Sequence, residues 1–272
     1  MPRLPHLALC AALALGPTGA RAQADDVGVL VLKEHGVGSP TLAQPYVEKF
    51  VGIAAVENGW PGAQGRYVVT RAAAEAFIAE AHPHYGIFSL AAFLALREKY
   101  ELEVVGRVQS VLVGGQQYFI VSKSADDLAG CKGRTLASDH LDDPRFVERV
   151  VAGGAFTLAE FTVVHNRRPL QSLKQVLTGE AECALIDDAQ KAELAHLQGA
   201  ERVRVVWESR DLPAMTVVAI PSAPAAEREK LKQSLATVCD GDGRIACQEV
   251  GIRALEAGSP KDYAAIVAAY DR

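Results

Sequence analysis

The sequence lacks the signatures of the common catalytic sites. It contains no Gly-x-Ser-x-Gly nucleophile elbow, no phosphate-binding P-loop and no His-Glu-x-x-His zinc motif. It has no Cys-x-x-Cys pair, which would indicate a structural zinc site. No low-complexity tract or short-period repeat is present either. These absences favour a protein that is not an enzyme and needs no cofactor.

Basic residues are too few to indicate a nucleic-acid-binding surface. The chain has 28 Lys and Arg against 33 Asp and Glu, a formal net charge of -5. Binding to phosphate backbones requires a basic face that displaces counterions. At 49% hydrophobic and 22% charged residues, the composition is that of an ordinary soluble globular protein. The length of 272 residues allows one large core or two modest ones. A small molecule is therefore the favoured binding partner, and nucleic acid is not.

The first 22 residues are predicted to be a signal peptide rather than part of the fold. Arg3 precedes a short apolar run, Leu7–Leu15, and Ala20-Arg21-Ala22 has the small-x-small pattern of a cleavage site. Cleavage after Ala24 fits equally well. The apolar run is too short to span a bilayer. A buried N-terminal helix and a lipid anchor at Cys10 are the competing interpretations. The favoured prediction is an exported, soluble, periplasmic protein.

Export makes the remaining cysteines informative. Cys131, Cys183, Cys239 and Cys247 form an even set, and an oxidising compartment favours disulfides. Cys239 and Cys247 flank a tight glycine-rich loop, which favours a Cys239–Cys247 bond. Cys131 and Cys183 each precede a predicted strand at the same end, so Cys131–Cys183 can form if those strands are neighbours. A metal site is the alternative.

Strands and helices alternate along the chain, which predicts an α/β fold of two Rossmann-like lobes with mostly parallel sheets. The stretch 117–138 divides two such α/β units. Apolar strands at Tyr118–Val121 and Met215–Ile220 are predicted to cross between the lobes. The predicted lobe one is 25–117 plus 220–272, and lobe two is 118–219. Three helices are predicted to close the chain: Ala225–Val238, Arg244–Glu256 and Lys261–Tyr270.

Ligands of open α/β sheets bind beyond the carboxyl ends of the strands, and this rule selects the candidate residues. Several of them also lie at helix N-termini, where free N–H groups attract anions. The predicted ligand-binding residues are Lys33, His35, Ser39, Arg71, Ser89, Ser138, Asp139, His140, His165, Arg167 and Asp187.

Each candidate has a structural alternative. Ser39, Ser89 and Ser138 can be helix caps, and Asp187 can cap the helix that follows its strand. Arg167 can belong to a solvated loop. A metal site built on His35, His140 and His165 is a further alternative, which requires the three side chains to converge.

Four segments in order resemble one family: Tyr85–Leu90, Ser124–Ala137, Lys174–Asp187 and Ser259–Tyr263. Together they are similar to the phosphonate-type, PhnD-like periplasmic substrate-binding proteins of ABC transporters, within the type II periplasmic binding proteins. The resemblance spans nearly the whole mature chain. It implies two lobes that close around a ligand by a hinge motion, a partner ABC permease, and a monomer.

One loop departs from the family pattern. A hydroxyl-rich turn usually holds the anion after the first strand of lobe two, whereas here that position reads Ser138–Asp143 and contains three carboxylates. These would repel a phosphonate unless Arg71, Arg167 or Arg168 offset them. The leading hypothesis is an exported solute-binding protein that captures a small polar, anionic ligand, of the phosphonate or a related oxyanion class, for an ABC transporter. A ligand-sensing receptor subunit contacting a sensor protein, and a metal or metal-chelate binder, are the alternatives.

Overall fold

The computed structural model describes residues 26–35, 39–110, 114–213 and 215–272. The predicted signal peptide and its cleavage site lie outside these ranges, and so does Val111–Val113, whose apolar residues predict a strand. Among the helices of the described ranges, none is both long enough and apolar enough to cross a bilayer.

Lobe one is built around a six-stranded sheet with helices on both faces. Its first part is β1 (Val27–Leu32), α1 (Pro40–Asn58), β2 (Ala63–Val68), α2 (Arg71–Ala81), β3 (Tyr85–Phe88), α3 (Leu90–Leu96) and β4 (Glu103–Ser110). Its second part is β10 (Thr216–Ala219), α6 (Ala225–Val238), α7 (Gly243–Glu249), β11 (Ile252–Ala257) and α8 (Pro260–Asp271).

Strand order in this sheet is β11-β4-β10-β3-β1-β2. β1 pairs in parallel with β2 and β3, whereas β10 runs antiparallel between β3 and β4. Every residue of β3 and β10 is buried, as expected for central strands covered on both faces. The carboxyl end of β1 therefore points toward the second lobe, and Lys33 follows it directly.

Lobe two has a five-stranded sheet in the order β7-β6-β8-β5-β9. Its elements are β5 (Tyr118–Ser122), β6 (Thr135–Ser138), β7 (Thr162–His165), α4 (Gln171–Thr178), β8 (Cys183–Asp187), α5 (Asp188–Leu194) and β9 (Arg204–Glu208). β6 pairs in parallel with β7 and β8, so their carboxyl ends lie together. The segment Pro144–Ala152, which the sequence predicts to be a helix, contains a π-helix at Phe146–Val151.

Two connections join the sheets, from β4 to β5 and from β9 to β10. The strands predicted to cross between lobes each adjoin a connection but pair within one sheet: β5 with β8 and β9, and β10 with β3 and β4. The predicted end of lobe two at 219 is thus too late, because Thr216–Ala219 already belongs to the first sheet. Apolarity identified both strands as buried, but only pairing partners decide which sheet holds them.

The C-terminal region differs from the predicted three helices. The second helix stops at Glu249, and Gly251, with φ +76°, allows the reversal that starts β11. β11 then pairs antiparallel with β4 at the sheet edge. Ile252 and Leu255 are buried against the sheet. Helix-forming Ala, Leu and Glu side chains made this segment look helical, and tertiary pairing overrides that preference.

The structure contains two disulfides, Cys131–Cys183 in lobe two and Cys239–Cys247 in lobe one. Cys131 and Cys183 meet because β6 and β8 are neighbours, with Leu136 opposite Cys183 in the register. Both of these cysteines are fully buried.

Hydrophobic packing also continues from one lobe into the other. Leu30 and Phe88 of lobe one share a cluster with Leu136 and Phe146 of lobe two. Helix α8 belongs to this shared cluster through three side chains, Tyr263, Ile266 and Tyr270. The lobes are therefore in direct contact around the cleft.

Candidate functional site

A small cavity lies between the lobes, beyond the carboxyl ends of β1 and β8 and beside the start of β5. Its volume is about 30 Å³, which is room for about one water molecule. The polar side chains around it are Lys33, Glu34, His35, Ser89, Tyr118, His140 and Asp187. Five of the predicted ligand-binding residues are thus brought to one cavity: Lys33, His35, Ser89, His140 and Asp187.

A second, larger cavity opens beside the first and shares His35 with it. Its volume is about 620 Å³. It gathers four of the predicted residues, namely His35, Asp139, His165 and Arg167, together with Arg168. Two histidine–carboxylate contacts cross it: His165 Nε2 lies 3.2 Å from Asp142 Oδ1, and His35 Nε2 lies 3.8 Å from Asp142 Oδ2. This cavity forms the mouth of the cleft.

The lobe-one wall comes from three consecutive residues after β1, Lys33, Glu34 and His35. Burial lowers the pKa of the Lys33 ammonium, and Asp187 and Asp188 across the cleft oppose this effect. No hydrogen bond or ion pair joins that ammonium to another residue of the described ranges. Burial, helped by His140, Arg71 and His165, lowers the pKa of His35 to about 2, so the imidazole is neutral at neutral pH.

Arg71 does not line either cavity, because its guanidinium is held by carboxylates. Nε lies 2.7 Å and Nη2 3.2 Å from the two oxygens of Glu34, and Nη1 lies 3.0 Å from Asp143 Oδ2 in lobe two. Burial raises the pKa of Glu34, and the charge of Arg71 opposes that rise. Arg71 thus connects the lobes directly, and its donors are engaged in that contact.

Asp143 also accepts a hydrogen bond from the hydroxyl of Tyr270 at 2.9 Å. Tyr270 lies on α8 of lobe one, so Asp143 receives two donors from the opposite lobe. Arg149 of lobe two in turn donates to the Tyr270 carbonyl at 3.0 Å.

The lobe-two wall is a closed hydrogen-bond network centred on Gln190. The sequence Asp187-x-x-Gln190 forms a capping box at the start of α5, in which each side chain accepts a backbone N–H from the other residue at 2.9 Å. The Gln190 amide donates to Asp139 Oδ1 at 2.8 Å, and its oxygen lies 2.9 Å from His140 Nε2. This network fixes Asp139, His140 and Asp187 in place.

One oxygen of this wall stays without a partner. Asp139 Oδ2 is buried and makes no hydrogen bond within the described residues; the nearest cationic candidate is His35 Nδ1 at 3.8 Å. Burial raises the pKa of Asp187, an effect that His140 partly offsets. Tyr118, fully enclosed and near Asp187, has a pKa raised well above its usual value and stays protonated.

The predicted serines have different fates. The Ser138 hydroxyl is buried and donates to the Leu185 carbonyl at 2.7 Å while accepting the His140 N–H at 3.0 Å, so it shapes the wall from inside. Ser89 sits at the N-cap of α3, but its hydroxyl donates to Glu34 at 3.4 Å rather than to the helix. Ser39, at the N-cap of α1, makes no side-chain cap and lies outside both cavities.

The predicted alternative metal site is not supported by the geometry. The rings of His35 and His140 pack edge to face with centroids 4.7 Å apart, and His165 contacts Asp142 instead. Within the described ranges, no group of three or more His, Cys, Asp or Glu side chains is arranged to hold a metal ion.

Sequence reasoning missed two important residues of the site. Tyr118 was assigned only to a strand, although it opens β5 where the chain enters lobe two and its side chain lines the cavity. Gln190 lies inside a helix, and the one available signal was the Asp-x-x-Gln capping-box spacing.

Comparison with known protein families gives a match over most of the chain. A family model described as the periplasmic phosphonate substrate-binding protein of ABC transporters matches residues 66–263. Among curated proteins, none matches this sequence.

Several solved structures share the fold at low sequence identity. A Xanthomonas citri protein bound to ATP superposes with a TM-score of 0.71 at 11% identity, covering 91% of this chain and 98% of that one. A binding protein component of an ABC phosphonate transporter from Pseudomonas aeruginosa gives 0.66 at 13% identity, with coverages of 89% and 85%. PhnD1 of Prochlorococcus marinus in complex with methylphosphonate gives 0.66 at 10% identity, with coverages of 89% and 96%. At these identities the likeness establishes the two-lobed fold.

Proposed function

Because the chain belongs to the family of phosphonate-type periplasmic substrate-binding proteins of ABC transporters, we propose that it captures a small anion between its lobes. The anion is of the phosphonate or a related oxyanion class and binds at the cavity beside Lys33. The protein releases it unchanged to an ABC permease. Two relatives of the same fold support this class by their descriptions, one as part of a phosphonate transporter and one in complex with methylphosphonate.

The observation that carries the proposal is the Lys33 ammonium. It is a buried cation at the cavity wall, and burial disfavours its charged form. An anion in the cavity favours the protonated ammonium and accepts a charge-assisted hydrogen bond from it, which is stronger than a neutral one. The protonated Tyr118 hydroxyl is a second donor in the same wall.

Other donors that the sequence suggested for the anion are already used. The guanidinium of Arg71 binds Glu34 and Asp143, and the Ser138 hydroxyl binds backbone groups of its own lobe. Asp187 and the partnerless Asp139 oxygen add negative charge nearby. Lys33 is therefore the cation on which anion binding depends, and a ligand that also carries an amine gains from those carboxylates.

Ligand entry requires the lobes to separate. A cavity of about 30 Å³ is too small for a phosphonate, and the mouth beside it is about twentyfold larger. Opening by a hinge at the two connections breaks the Arg71–Asp143 and His35–Asp139 contacts and exposes Lys33. Closing places the anion between Lys33 and the lobe-two network.

Calorimetric titration tests the proposal with methylphosphonate, phosphate, ethanesulfonate and, as a cationic control, choline. We expect an anion to bind the protein and Lys33→Met to weaken that binding by about a hundredfold, the equivalent of a charged hydrogen bond of 2–3 kcal/mol. Lys49→Met is the matched control, since Lys49 is exposed and pairs with Glu249. Equal affinity of wild type and Lys33→Met, or no binding of any anion, contradicts the proposal.

The pH dependence of binding identifies the same group. Lys33 binds the anion only when protonated, and its pKa lies below the usual value. Anion affinity is thus expected to fall as pH rises toward the usual lysine pKa of 10.5, and to begin falling at a lower pH than an exposed lysine would cause, in wild type and Lys49→Met alike. Lys33→Met should show no such fall.

The proposal includes the protein's form and location. The family is periplasmic, and we expect export with cleavage after Ala22 or Ala24, a monomer, and no affinity for nucleic acid or catalytic turnover of the ligand. N-terminal sequencing of protein recovered from the periplasm tests the cleavage site. Light scattering tests the monomer, and recovery of intact ligand after long incubation tests the absence of catalysis.

A further inference from the structure

A third cavity, of about 300 Å³, lies inside lobe one next to the proposed anion site. It is bounded by α1, the ends of β1, β2 and β3, and the segment that joins α7 to β11. Its volume equals that of about ten water molecules in the liquid. It opens to solvent beside Tyr46, Gln248 and Glu249, whose side chains are exposed.

The walls of this cavity are mostly apolar. Val31, Val47, Phe50, Ile87 and Ile252 contribute side chains from four different elements. All five are buried or partly buried within the same lobe-one hydrophobic cluster. The space between them exists because small residues, Ala43 and Gly251, occupy the rim.

The few polar groups in this wall already have partners or lie at its edge. Glu249 pairs with Lys49 at 3.0 Å. Within the described residues, no buried polar side-chain atom of the lining lacks a hydrogen bond. The buried side chains of Phe50, Ile87 and Ile252 offer water no polar partner, and an apolar group that covers them displaces that water. An apolar group is the occupant that fits it.

Two residues, Lys33 and Met215, line both this cavity and the one between the lobes. A ligand whose anionic group lies at the Lys33 ammonium therefore has a direct path along the Lys33 stem and Met215 into the apolar space. The charged end of Lys33 faces the anion site while its methylenes belong to the apolar wall, which is the usual division for a lysine at such a boundary.

We infer that the cavity of lobe one is a subsite for an apolar substituent, and that the preferred ligand is an anion carrying a hydrocarbon chain of several carbons. The inference rests on the proposed anion site at Lys33 and names the substrate class more closely. Each methylene that enters the subsite adds affinity by leaving water.

Titration with methyl-, propyl- and pentylphosphonate tests the inference on the wild-type protein. Burial of a methylene contributes about fourfold in affinity, so pentylphosphonate, with four more methylenes, is expected to bind roughly two hundredfold more tightly than methylphosphonate. A chain of the same length that ends in a hydroxyl should lose at least about tenfold of this gain, because the hydroxyl finds no partner there.

A cavity-filling variant locates the effect. Ala43→Phe places a ring in the subsite, so it should abolish the preference for longer chains while leaving methylphosphonate affinity unchanged. Ala79→Phe, at an exposed position of α2, is the matched control and should keep the wild-type preference.

The outcomes separate the two proposals. Lys33-dependent binding of methylphosphonate with no gain from longer chains overturns the subsite and leaves the anion site standing. A chain-length preference that survives Ala43→Phe also overturns the subsite. Failure of every phosphonate to bind overturns both.

Discussion

The two walls of the cleft are built on opposite principles. In lobe two, Asp139, His140 and Asp187 are bound to one another through Gln190, and Ser138 holds the turn from beneath. In lobe one, the Lys33 ammonium has no partner among the described residues. Arg71 donates one of its hydrogen bonds to Asp143 of the other lobe. The lobe-two wall is held by hydrogen bonds within its own lobe, with Asp139 Oδ2 left over, whereas the lobe-one wall is completed by the opposite lobe or by a ligand.

This difference assigns separate tasks to the lobes. A satisfied buried network is rigid, because each member loses a hydrogen bond if it moves. A buried charge without a partner is unfavourable until a counter-charge arrives. Lobe two therefore presents a preformed surface, and lobe one supplies the charge that makes ligand binding and closure favourable. Four measurements test this difference between the lobes.

The largest expected effect comes from the lobe-two disulfide. Cys131–Cys183 closes 52 residues and Cys239–Cys247 closes 8. Restriction of the unfolded chain then stabilises by about 4 kcal/mol for the longer loop and about 2.5 kcal/mol for the shorter one. Double Ala variants of each pair, compared by chemical denaturation, should differ in this order. Equal losses would show that lobe two owes no special rigidity to its crosslink.

Removal of Gln190 is expected to cost about 3 kcal/mol of unfolding free energy, because Asp139, His140 and the Asp187 N–H lose their shared partner inside the wall. Gln190→Ala is compared with Gln171→Ala, which changes an exposed glutamine at the start of α4. The control should lie within about 0.5 kcal/mol of wild type. A similar small effect for Gln190→Ala would mean that the wall is not a cooperative network.

Arg71→Met tests the lobe-one wall, which depends on contacts with lobe two. The change leaves the carboxylates of Glu34 and Asp143 without their cation, and about 2–3 kcal/mol is expected, less than for a fully buried pair because Arg71 is 24% exposed. Since Asp143 belongs to lobe two, part of the loss should appear as separation of the lobes. X-ray scattering without ligand should thus show a larger radius of gyration.

Arg204→Met is the control for that measurement. Arg204 pairs with Asp126 on the surface of lobe two, so its loss should cost less than about 1 kcal/mol and leave the radius of gyration unchanged. An unchanged radius in Arg71→Met as well would remove Arg71 from the contacts that hold the lobes together.

The smallest expected effect is the contribution of His35 to acid sensitivity. Its pKa is about 2 in the folded protein, whereas the usual histidine pKa is 6.5. Below pH 6.5 the unfolded chain binds a proton at this residue and the folded protein does not, so His35 costs stability as pH falls. By pH 5 the loss is about 2 kcal/mol, at 1.36 kcal/mol per pH unit.

The His35 contribution is measured against a variant. The stability difference between wild type and His35→Gln should shrink by that amount between pH 7 and pH 5. His196→Gln, at an exposed site, should show no pH-dependent difference of this size. An increase of the wild-type advantage at low pH would indicate that His35 gains a proton in the folded state and that Asp139 or Asp142 nearby stabilises the imidazolium.

The sequence predicted which residues lie at the cavity better than it predicted their hydrogen-bond partners. Lys33, His35, His140 and Asp187 were found because parallel strands end at one edge, and this rule follows from the alternation of elements alone. Arg71 binds Glu34 and Asp143, and Ser138 binds the Leu185 carbonyl. These three partners lie 37 to 72 residues away in the chain, and no local pattern encodes them.

The same limit explains the errors in the fold. The residues of β11 favour a helix by their intrinsic propensity, and its pairing with β4 is what makes it a strand. β10 was correctly expected to be a buried apolar strand but was assigned to the wrong lobe, because apolarity carries no information about which sheet it joins.

Helix α8 adds a constraint on how the cleft can move. The two backbone connections between the lobes allow the lobes to rotate about an axis that passes through both connections. Tyr270, in the last turn of α8, forms hydrogen bonds with Asp143 and Arg149 of the opposite lobe. These contacts are separate from the two backbone connections. Rotation of the lobes must therefore either break the hydrogen bonds of Tyr270 or move the last turn of α8 together with lobe two. A bulky addition after Arg272 should accordingly alter the opening of the cleft even though it touches no residue that contacts the ligand.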